Sequence, residues 1–206
     1  MMVEAPNIPQ RSIPAKCAGC QQSLDSPLFC STCRRLYPAE GLDCFELLGL
    51  ETSFDLDDAE VRRKYFTLAR EIHPDRAAAG NPAALQLSMR VSARVNEAYR
   101  VLLDPILRAG YLLELAGGPS AADDKSVPQE VLVDTLELRE EIEEASSDGN
   151  EATLAALRET VGLRFDGLMK QIADTARKLP GDQQTRKTLR GKLNAIRYYQ
   201  KMRERL

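Results

Sequence analysis

Two Cys-x-x-Cys pairs near the start of the chain constrain its folding more than any other feature of the sequence. Cys17 and Cys20 form the first pair, Cys30 and Cys33 form the second, and nine residues separate them. Each pair can present two thiolates to one ion at about 2.3 Å, so both pairs complete a closed tetrahedral site with no position for water. Because so short a segment cannot bury a hydrophobic core, metal binding is expected to supply most of its folding free energy, on the order of 10 kcal/mol.

The expected cofactor is a structural Zn²⁺ ion, because zinc is the common occupant of closed four-thiolate sites. An iron site of the rubredoxin type uses the same four ligands and remains the alternative. The fifth cysteine, Cys44, stands beside Phe45 and is interpreted as a small buried hydrophobe.

Other functions of the tetracysteine segment, residues 17–42, are less favoured. A thiol oxidoreductase would need one exposed pair between a strand and a helix, and this sequence context is absent. A nucleic-acid-binding ribbon would need a basic surface, and Arg34, Arg35 and Tyr37 do follow the second pair. Residues 1–44 nevertheless carry equal numbers of acidic and basic side chains, so we expect no nucleic-acid partner.

The histidine count and the composition exclude further classes. His73 is the only histidine among 206 residues, which excludes fingers built on two cysteines and two histidines and HExxH metalloprotease sites. Aromatic residues make up 5% and Trp is absent, which favours an all-α fold over a β-sandwich. Residues 1–16 are expected to form a flexible N-terminus without an export signal, and no apolar run is long enough to span a bilayer. We therefore expect no membrane partner and a cytoplasmic location, or the mitochondrial matrix for a processed eukaryotic form.

From Asp43 onward the apolar residues recur at helical spacing, which predicts an antiparallel hairpin. The first helix, capped by Asp57 or Asp58, must stop at His73-Pro74 because proline lacks a backbone donor and restricts the preceding residue. The second helix runs from about Pro82 to Leu103. The two apolar stripes consist of Val61, Tyr65, Leu68 and Ile72 in the first helix and Val91, Val95, Ala98 and Leu102 in the second.

The remainder of the chain is predicted to be a connecting helix and a three-helix bundle. Residues 105–116 complete the segment that begins at residue 43, and residues 117–126 read as a linker by composition. The bundle occupies residues 127–206, with helices over 131–145, 151–179 and 182–206, and Ser126 with Gln129 resembles a capping box for the first of them. Residues 119–150 hold 10 acidic and 2 basic side chains, whereas residues 151–206 hold 6 and 13, so these segments should attract each other.

His73-Pro74-Asp75 begins the connection between the two hairpin helices. Catalysis by His73 and Asp75 is not favoured, because the sequence offers no nucleophile with a supporting base. The end of a helical hairpin is also convex and forms no pocket for a substrate. The chain is therefore not expected to be an enzyme, and binding is the favoured role of this loop.

The hairpin resembles a J-domain in two runs of residues, Tyr65-x-x-Leu68-Ala69-x-x-x-His73-Pro74-Asp75 and Arg94-x-Asn96-x-Ala98-Tyr99-x-x-Leu102-x-Asp104-Pro105. The chain after the hairpin is similar to the HscB/Jac family of iron–sulfur co-chaperones, through Arg108-x-x-Tyr111-Leu112-Leu113 and Leu136-Glu137-Leu138-Arg139-Glu140-Glu141. The resemblance covers residues 43–206, and the tetracysteine segment resembles that of eukaryotic and some other members.

This resemblance implies that the chain stimulates ATP hydrolysis by a DnaK/HscA-class chaperone and delivers an IscU-type iron–sulfur scaffold protein. The chaperone-binding residues carried over are His73, Pro74 and Asp75 in the loop and Arg62, Arg63, Lys64 and Arg70 on the preceding helix. Charge steering by such a basic face sets the association rate more than the affinity. Arg76 replaces the lysine common after the loop, and Glu60 and Glu71 dilute the basic face.

The first bundle helix carries more apolar residues than one core stripe needs. Val131, Thr135, Leu138 and Ile142 suffice for the core, which leaves a second apolar face rimmed by carboxylates. We call this face the acidic strip, and it consists of Leu132, Val133, Leu136, Glu137, Glu140 and Glu144, with Tyr198 of the last helix as its predicted extension. The resemblance implies that the strip binds the scaffold, and the alternative is a helix buried on two sides.

The sequence therefore predicts a J-domain co-chaperone that holds its scaffold on one surface while the His-Pro-Asp loop promotes hydrolysis. The alternatives are a J-protein that serves another client and a zinc-ribbon nucleic-acid-binding protein.

Overall fold

The computed structural model describes residues 15–24, 26–77 and 81–206, so the first 14 residues of the predicted flexible N-terminus lie outside the described part. The helices are α1 (Cys44–Leu48), α2 (Asp58–Glu71), α3 (Pro74–Ala77), α4 (Pro82–Leu103), α5 (Pro105–Leu115), α6 (Gln129–Ser147), α7 (Glu151–Ala176) and α8 (Gln183–Arg203). Among the described residues, extended structure is limited to two isolated bridges, Lys16–Ser23 and Phe29–Leu36. The predicted all-α fold class is confirmed.

The chain divides into two compact units between Arg108 and Ala109, within α5. The sequence places the end of the J-domain segment at residue 116, which is one residue beyond the end of α5. The boundary between the two units thus precedes the predicted linker at residues 117–126.

In the first unit, α2 and α4 form the predicted helical hairpin. Asp57 caps α2 by accepting a hydrogen bond from the Ala59 amide, and Asn81 caps α4 by accepting from Ala83 and Ala84. Both caps satisfy amides that have no partner within their helix. Two residues of the first predicted core stripe, Val61 and Leu68, are buried in α2, and Ile72 is buried directly after it. The second stripe is buried in α4, at Val91, Val95, Ala98 and Leu102.

Tyr65 departs from its predicted core position, because it is only half-buried. Its ring stacks on Tyr99 with centroids 4.0 Å apart, and its hydroxyl donates to Asn96 Oδ1 at 3.0 Å. A tyrosine at a stripe position can thus lie at the edge of the core, where its ring packs while its hydroxyl reaches a polar partner.

The buried Arg108 closes the first unit. Its Nε donates to the Leu102 carbonyl at 2.8 Å and its Nη1 donates to the Phe54 carbonyl at 2.7 Å. The guanidinium therefore ties the end of α4 to the loop before α2, and Asp58 lies 3.5 Å from Nη2.

In the second unit, α6, α7 and α8 form the predicted three-helix bundle. Val161, Ile172, Leu189 and Ile196 are fully buried in its core. The α7 and α8 helices begin at side-chain caps from Asn150 and Asp182, respectively. Each cap agrees with the polar residue that precedes the apolar stripe in the sequence.

The predicted capping box at Ser126 and Gln129 is wrong. Gln129 is the first residue of α6, Pro128 occupies the cap position, and no side chain caps this helix. The Ser126 carbonyl instead accepts a hydrogen bond from Asn194 Nδ2 at 2.9 Å. A contact with α8 therefore fixes this segment, and local pairing with Gln129 does not.

The connection at residues 117–126 is held against α8 by two buried side chains. Asn194 Nδ2 also donates to the Asp124 carbonyl at 2.9 Å, and Arg190 Nε donates to the Pro119 carbonyl at 2.9 Å. A segment that reads as a linker by composition is thus fixed in place by hydrogen bonds from two α8 side chains to its backbone carbonyls.

Candidate functional site

The His73-Pro74-Asp75 loop is exposed but anchored at its base. Ile72 is buried, and its carbonyl accepts a 2.6 Å hydrogen bond from the Ser88 hydroxyl on α4. Beyond this anchor, His73 is exposed, and the side chain of Asp75 is 90% exposed. The α2 helix ends at Glu71, and Pro74 opens the short helix α3.

Within the loop, the His73 ring is oriented by its neighbour. The Asp75 amide donates to His73 Nδ1 at 3.2 Å, and one carboxylate oxygen of Asp75 lies 3.6 Å from the same nitrogen. Because Nδ1 faces Asp75, Nε2 is the ring nitrogen that this contact leaves for a partner. The loop thus presents one ring nitrogen and one carboxylate to a partner.

The predicted basic residues of α2 do not all share one face. Arg62 Nη1 donates to the Tyr99 hydroxyl at 3.2 Å, and Arg63 lies 3.5 Å from Glu60. Arg62, Arg63 and Arg70 are exposed, whereas Lys64 is half-buried and donates to the Gly49 carbonyl at 3.1 Å. Lys64 thus supports the end of α1 and stands apart from the three arginines.

Phe66 was missed by sequence reasoning. It lies four residues after Arg62 and four before Arg70, so it shares their side of α2. Its ring is 59% exposed and meets Tyr65 edge-on, with centroids 5.1 Å apart. A large apolar residue between two arginines, outside the core stripe, was the signal that could have revealed it.

The four cysteines predicted as metal ligands converge. Their sulfur atoms all lie within 4.8 Å of one another, with Cys17 and Cys33 3.5 Å apart and Cys20 and Cys30 3.6 Å apart. Sulfurs at 2.3 Å from a tetrahedral ion would be about 3.8 Å apart, so the residues fit such an ion. Both of these contacts join one Cys-x-x-Cys turn to the other, so the four thiols form one shared cluster.

The two Cys-x-x-Cys turns have the same backbone geometry. Gln21 and Arg34, the residues that follow the second cysteine of each pair, both adopt positive φ, at 62° and 61°. The Gln21 amide donates to the Cys17 carbonyl at 2.9 Å, and the Arg34 amide donates to the Cys30 carbonyl at 2.8 Å. The metal-binding segment is thus built from one local turn used twice.

Tyr37 supports this site from the side, which sequence reasoning did not foresee. Its hydroxyl donates to Cys17 Sγ at 3.2 Å and accepts from the Ala18 amide at 2.9 Å. The Tyr37 hydrogen bond stabilises the thiolate and lowers the pKa of Cys17 to about 6. The Cys33 amide likewise lowers the pKa of Cys30. Both effects favour the deprotonated form that binds metals.

The acidic strip on α6 is exposed. Leu132, Val133 and Leu136 are 42%, 49% and 58% exposed, whereas Thr135, Leu138 and Ile142 are buried on the core side. Glu137, Glu140 and Glu144 are also exposed. Asp134 fixes the orientation of the helix, because it pairs with Arg164 of α7 at 3.1 Å and accepts from the Tyr199 hydroxyl of α8 at 2.8 Å. Only the core side of α6 is therefore buried, and its second apolar face is exposed.

Tyr198 is 42% exposed but lies in a different surface feature. It lines a groove between α6 and α8 that none of Leu132, Val133 and Leu136 lines. Six of the seven predicted scaffold-binding residues thus lie on α6, and the seventh, Tyr198, lies in the groove and not on the strip.

No helix in the described ranges combines the length and apolar character that crossing a bilayer requires.

An exposed His-Pro-Asp loop at the end of an anchored helical hairpin is the arrangement of a J-domain co-chaperone. Residues 43–111 match the DnaJ domain family model, and residues 127–206 match the model described as the HSCB C-terminal oligomerisation domain.

Relatives agree with this class. A "Co-chaperone protein HscB homolog" of Burkholderia vietnamiensis is 39% identical over 129 residues, which cover 60% of this chain and 74% of the relative. The protein of the same description from Paraburkholderia xenovorans is 35% identical over 143 residues, covering 67% and 82%.

Two solved structures are also similar. The crystal structure of human co-chaperone protein HscB matches with a TM-score of 0.75 and 26% identity, covering 92% of this chain and 95% of that one. Chaperone HscB from Vibrio cholerae matches with a TM-score of 0.67 and 26% identity, covering 80% and 94%.

The chain belongs to the HscB co-chaperone family. The resemblance noted in the sequence is thereby confirmed, and with it the assignment of this J-domain co-chaperone to iron–sulfur cluster biogenesis.

Proposed function

We propose that this chain stimulates the ATPase of a DnaK/HscA-class chaperone and delivers to it an IscU-type iron–sulfur scaffold protein. The observation that carries the proposal is the His73-Pro74-Asp75 loop, exposed beyond a buried anchor, in a member of the HscB family. His73 and Asp75 would contact the chaperone, and Pro74 would fix the loop geometry. The chain itself would perform no catalysis, and neither nucleic acid nor membrane is among its proposed partners.

The arginine face of α2 would guide the encounter with an acidic surface of the chaperone. Arg62, Arg63 and Arg70 are the members of this face, because Lys64 is engaged with Gly49. Phe66 would add an apolar anchor among these charges, since hot spots commonly pair a buried aromatic with surrounding polar groups. The charges would set the association rate, and the aromatic ring would slow dissociation.

The acidic strip would hold the scaffold through Leu132, Val133 and Leu136, with Glu137, Glu140 and Glu144 at its rim. An exposed apolar surface with a polar rim has the composition of a protein-binding interface. Holding the scaffold on the strip while the loop engages the chaperone would raise the local concentration of the client at the moment of hydrolysis.

The metal held by Cys17, Cys20, Cys30 and Cys33 would be structural Zn²⁺. All four ligand positions are filled by thiols, so a bound ion would shape this segment and would have no open position for chemistry. Free thiols at this site fit a reducing compartment, and we therefore infer a cytoplasmic location.

The decisive experiment is single-turnover ATPase of the chaperone with the wild type and with His73→Gln, each with and without scaffold. We expect His73→Gln to abolish stimulation while circular dichroism and scaffold binding stay unchanged. Leu132→Ala with Leu136→Ala is the matched control, because it should keep stimulation by the co-chaperone alone and lose the added effect of the scaffold. Full stimulation by His73→Gln would contradict the proposal.

Phe66→Ser tests the apolar anchor on α2. We expect it to weaken chaperone binding by about tenfold, the effect of one well-packed apolar contact of about 1.4 kcal/mol. Met89→Ser removes an equally exposed apolar side chain from α4 and should leave binding unchanged. A J-protein that serves another client would give the same result here but would fail to bind the scaffold through the strip.

A further inference from the structure

A groove in the second unit lies between residues 121–127 and the C-terminal halves of α6 and α8. Its volume is about 890 Å³. Ile142 and Met202 are buried and Val127 is half-buried, so these three side chains supply an apolar floor. The rim is open, because Arg139, Ser146, Arg197 and Lys201 are all exposed.

The charge of this groove is strongly positive. Five cationic residues line it, namely Lys125, Arg139, Arg197, Lys201 and Arg205, against the single carboxylate of Glu143. Glu143 pairs with Arg139 at 3.0 Å, and no other described carboxylate lies within ion-pairing distance of the remaining four cations.

Arg197, Lys201 and Arg205 follow one another at intervals of four residues along the last helix and its end. Like charges at this spacing on a helix repel one another and cost a few tenths of a kcal/mol per pair. This row therefore gives the bundle no stability of its own, and it directs a positive potential into the groove.

The groove and the acidic strip are separate surfaces of opposite charge on the same bundle. The strip combines leucines on the first half of α6 with glutamates that continue to Glu144, and none of its α6 residues lines the groove. The groove begins at Arg139 and combines an apolar floor with cations. A partner matched to one of them carries the wrong charge for the other.

The openness of the groove favours a peptide over a small molecule. Sites for small ligands enclose most of the ligand surface and present a few fixed polar groups. Here the cations are long exposed side chains along two walls, which suits a segment that lies lengthwise with apolar residues down and carboxylates at the rim.

We propose that this groove binds an acidic amphipathic peptide segment of a partner protein, at a site separate from the acidic strip. Apolar residues of the segment contact Ile142 and Met202, and its carboxylates pair with Arg197, Lys201 and Arg205. This proposal goes beyond chaperone stimulation and scaffold delivery, and it holds whether or not those functions are correct.

The test uses the full chain and a dye-labelled synthetic 12-residue peptide in which leucine recurs every three to four residues and the other positions are glutamate. Fluorescence anisotropy should show saturable binding to the wild type. Arg197→Glu with Lys201→Glu should weaken binding by tenfold or more, because two attractions to peptide carboxylates become repulsions. A tenfold change in affinity corresponds to about 1.4 kcal/mol. Both side chains are exposed, so helical content should not change.

Controls separate this site from its neighbour. Leu132→Ala with Leu136→Ala should leave peptide affinity unchanged, and Arg197→Gln with Lys201→Gln should give an intermediate loss. A peptide with glycine in place of leucine should bind at least tenfold more weakly than the leucine peptide.

Three results would overturn the proposal. The first is equal binding by the peptide without leucine, which would reduce the groove to a non-specific cationic surface. The second is loss of peptide binding in the strip variant. The third is self-association of the wild type in sedimentation velocity that the peptide reverses, because a second copy of this chain would then occupy the groove.

Discussion

In the C-terminal bundle, Val161, Ile172, Leu189 and Ile196 are fully buried side chains from two long helices. In the tetracysteine segment, the buried cluster around the thiols consists of Cys17, Cys30 and Tyr37, with Cys20 and Leu24 partly buried. Apolar burial can stabilise the bundle because each large aliphatic side chain contributes roughly 1.5–3 kcal/mol. The small segment has too few such residues, so convergent thiols take the place of a core.

Removal of the metal should cause the largest loss of stability, and that loss should be confined to the tetracysteine segment. Cys17→Ser, or chelation of the wild type, should unfold residues 15–42 by removing a contribution on the order of 10 kcal/mol. Hydrogen exchange resolved by peptides should show loss of protection there and none in α7 and α8. Retained protection in the metal-free segment would show that packing alone suffices.

Leu189→Ala should produce the converse result. Removing this fully buried side chain should destabilise the bundle by about 2–5 kcal/mol in urea unfolding, whether or not metal is bound. Leu163→Ala is the matched control, because Leu163 is exposed and its truncation should change stability by less than about 0.5 kcal/mol. If the loss of stability caused by Leu189→Ala changed when a chelator was added, the bundle and the tetracysteine segment would not be independently stabilised.

Asn194→Ala should have a smaller effect that separates polar anchoring from apolar packing within the bundle. It leaves the Asp124 and Ser126 carbonyls without their Asn194 donor, at a cost of about 1–3 kcal/mol. Hydrogen exchange should rise in residues 119–126 more than in α7. Gln184→Ala, which removes an exposed amide from the same helix, should leave that segment protected.

Tyr37→Phe should have the smallest effect on stability, about 1 kcal/mol for one hydrogen bond. The Tyr37 hydrogen bond lowers the pKa of Cys17 and so favours the thiolate that binds the metal. Protons compete with the metal for this thiolate, so the stabilisation by bound metal is present at neutral pH and is lost as the pH falls. Without the Tyr37 hydroxyl, the midpoint of acid-induced metal release from the loaded protein should move to a higher pH, whereas Tyr198→Phe should leave that midpoint unchanged.

Local patterns predicted most of the helices correctly. The start of α2 follows from its predicted cap Asp57, because a capping side chain bonds to amides within its own turn. The starts of α7 and α8 were predicted to within one residue, but their caps, Asn150 and Asp182, were not predicted. The buried positions of α4 and the exposed acidic strip of α6 follow from helical spacing. Spacing also predicted four convergent thiols, since each Cys-x-x-Cys turn is local.

Contacts between distant residues account for the rest. Ser126 was predicted to cap α6, but its carbonyl is bound by Asn194, which lies 68 residues away. Tyr65 was assigned to the core, yet a stack with Tyr99 on another helix holds it at the edge. Lys64 was grouped with the arginines of α2, and the Gly49 carbonyl engages it instead.

The sequence by itself determined the all-α fold, the starts of most helices, the four thiols and the His-Pro-Asp loop, because each depends on spacing within one turn or on the geometry of one residue type. Tertiary structure alone decided that Tyr37 would bond to Cys17, that Arg190 and Asn194 would hold the connection at residues 117–126, and that Arg197 and Lys201 would line a groove with Ile142. Such contacts form only when helices pack, and packing is set by the fit of whole surfaces that no local pattern contains.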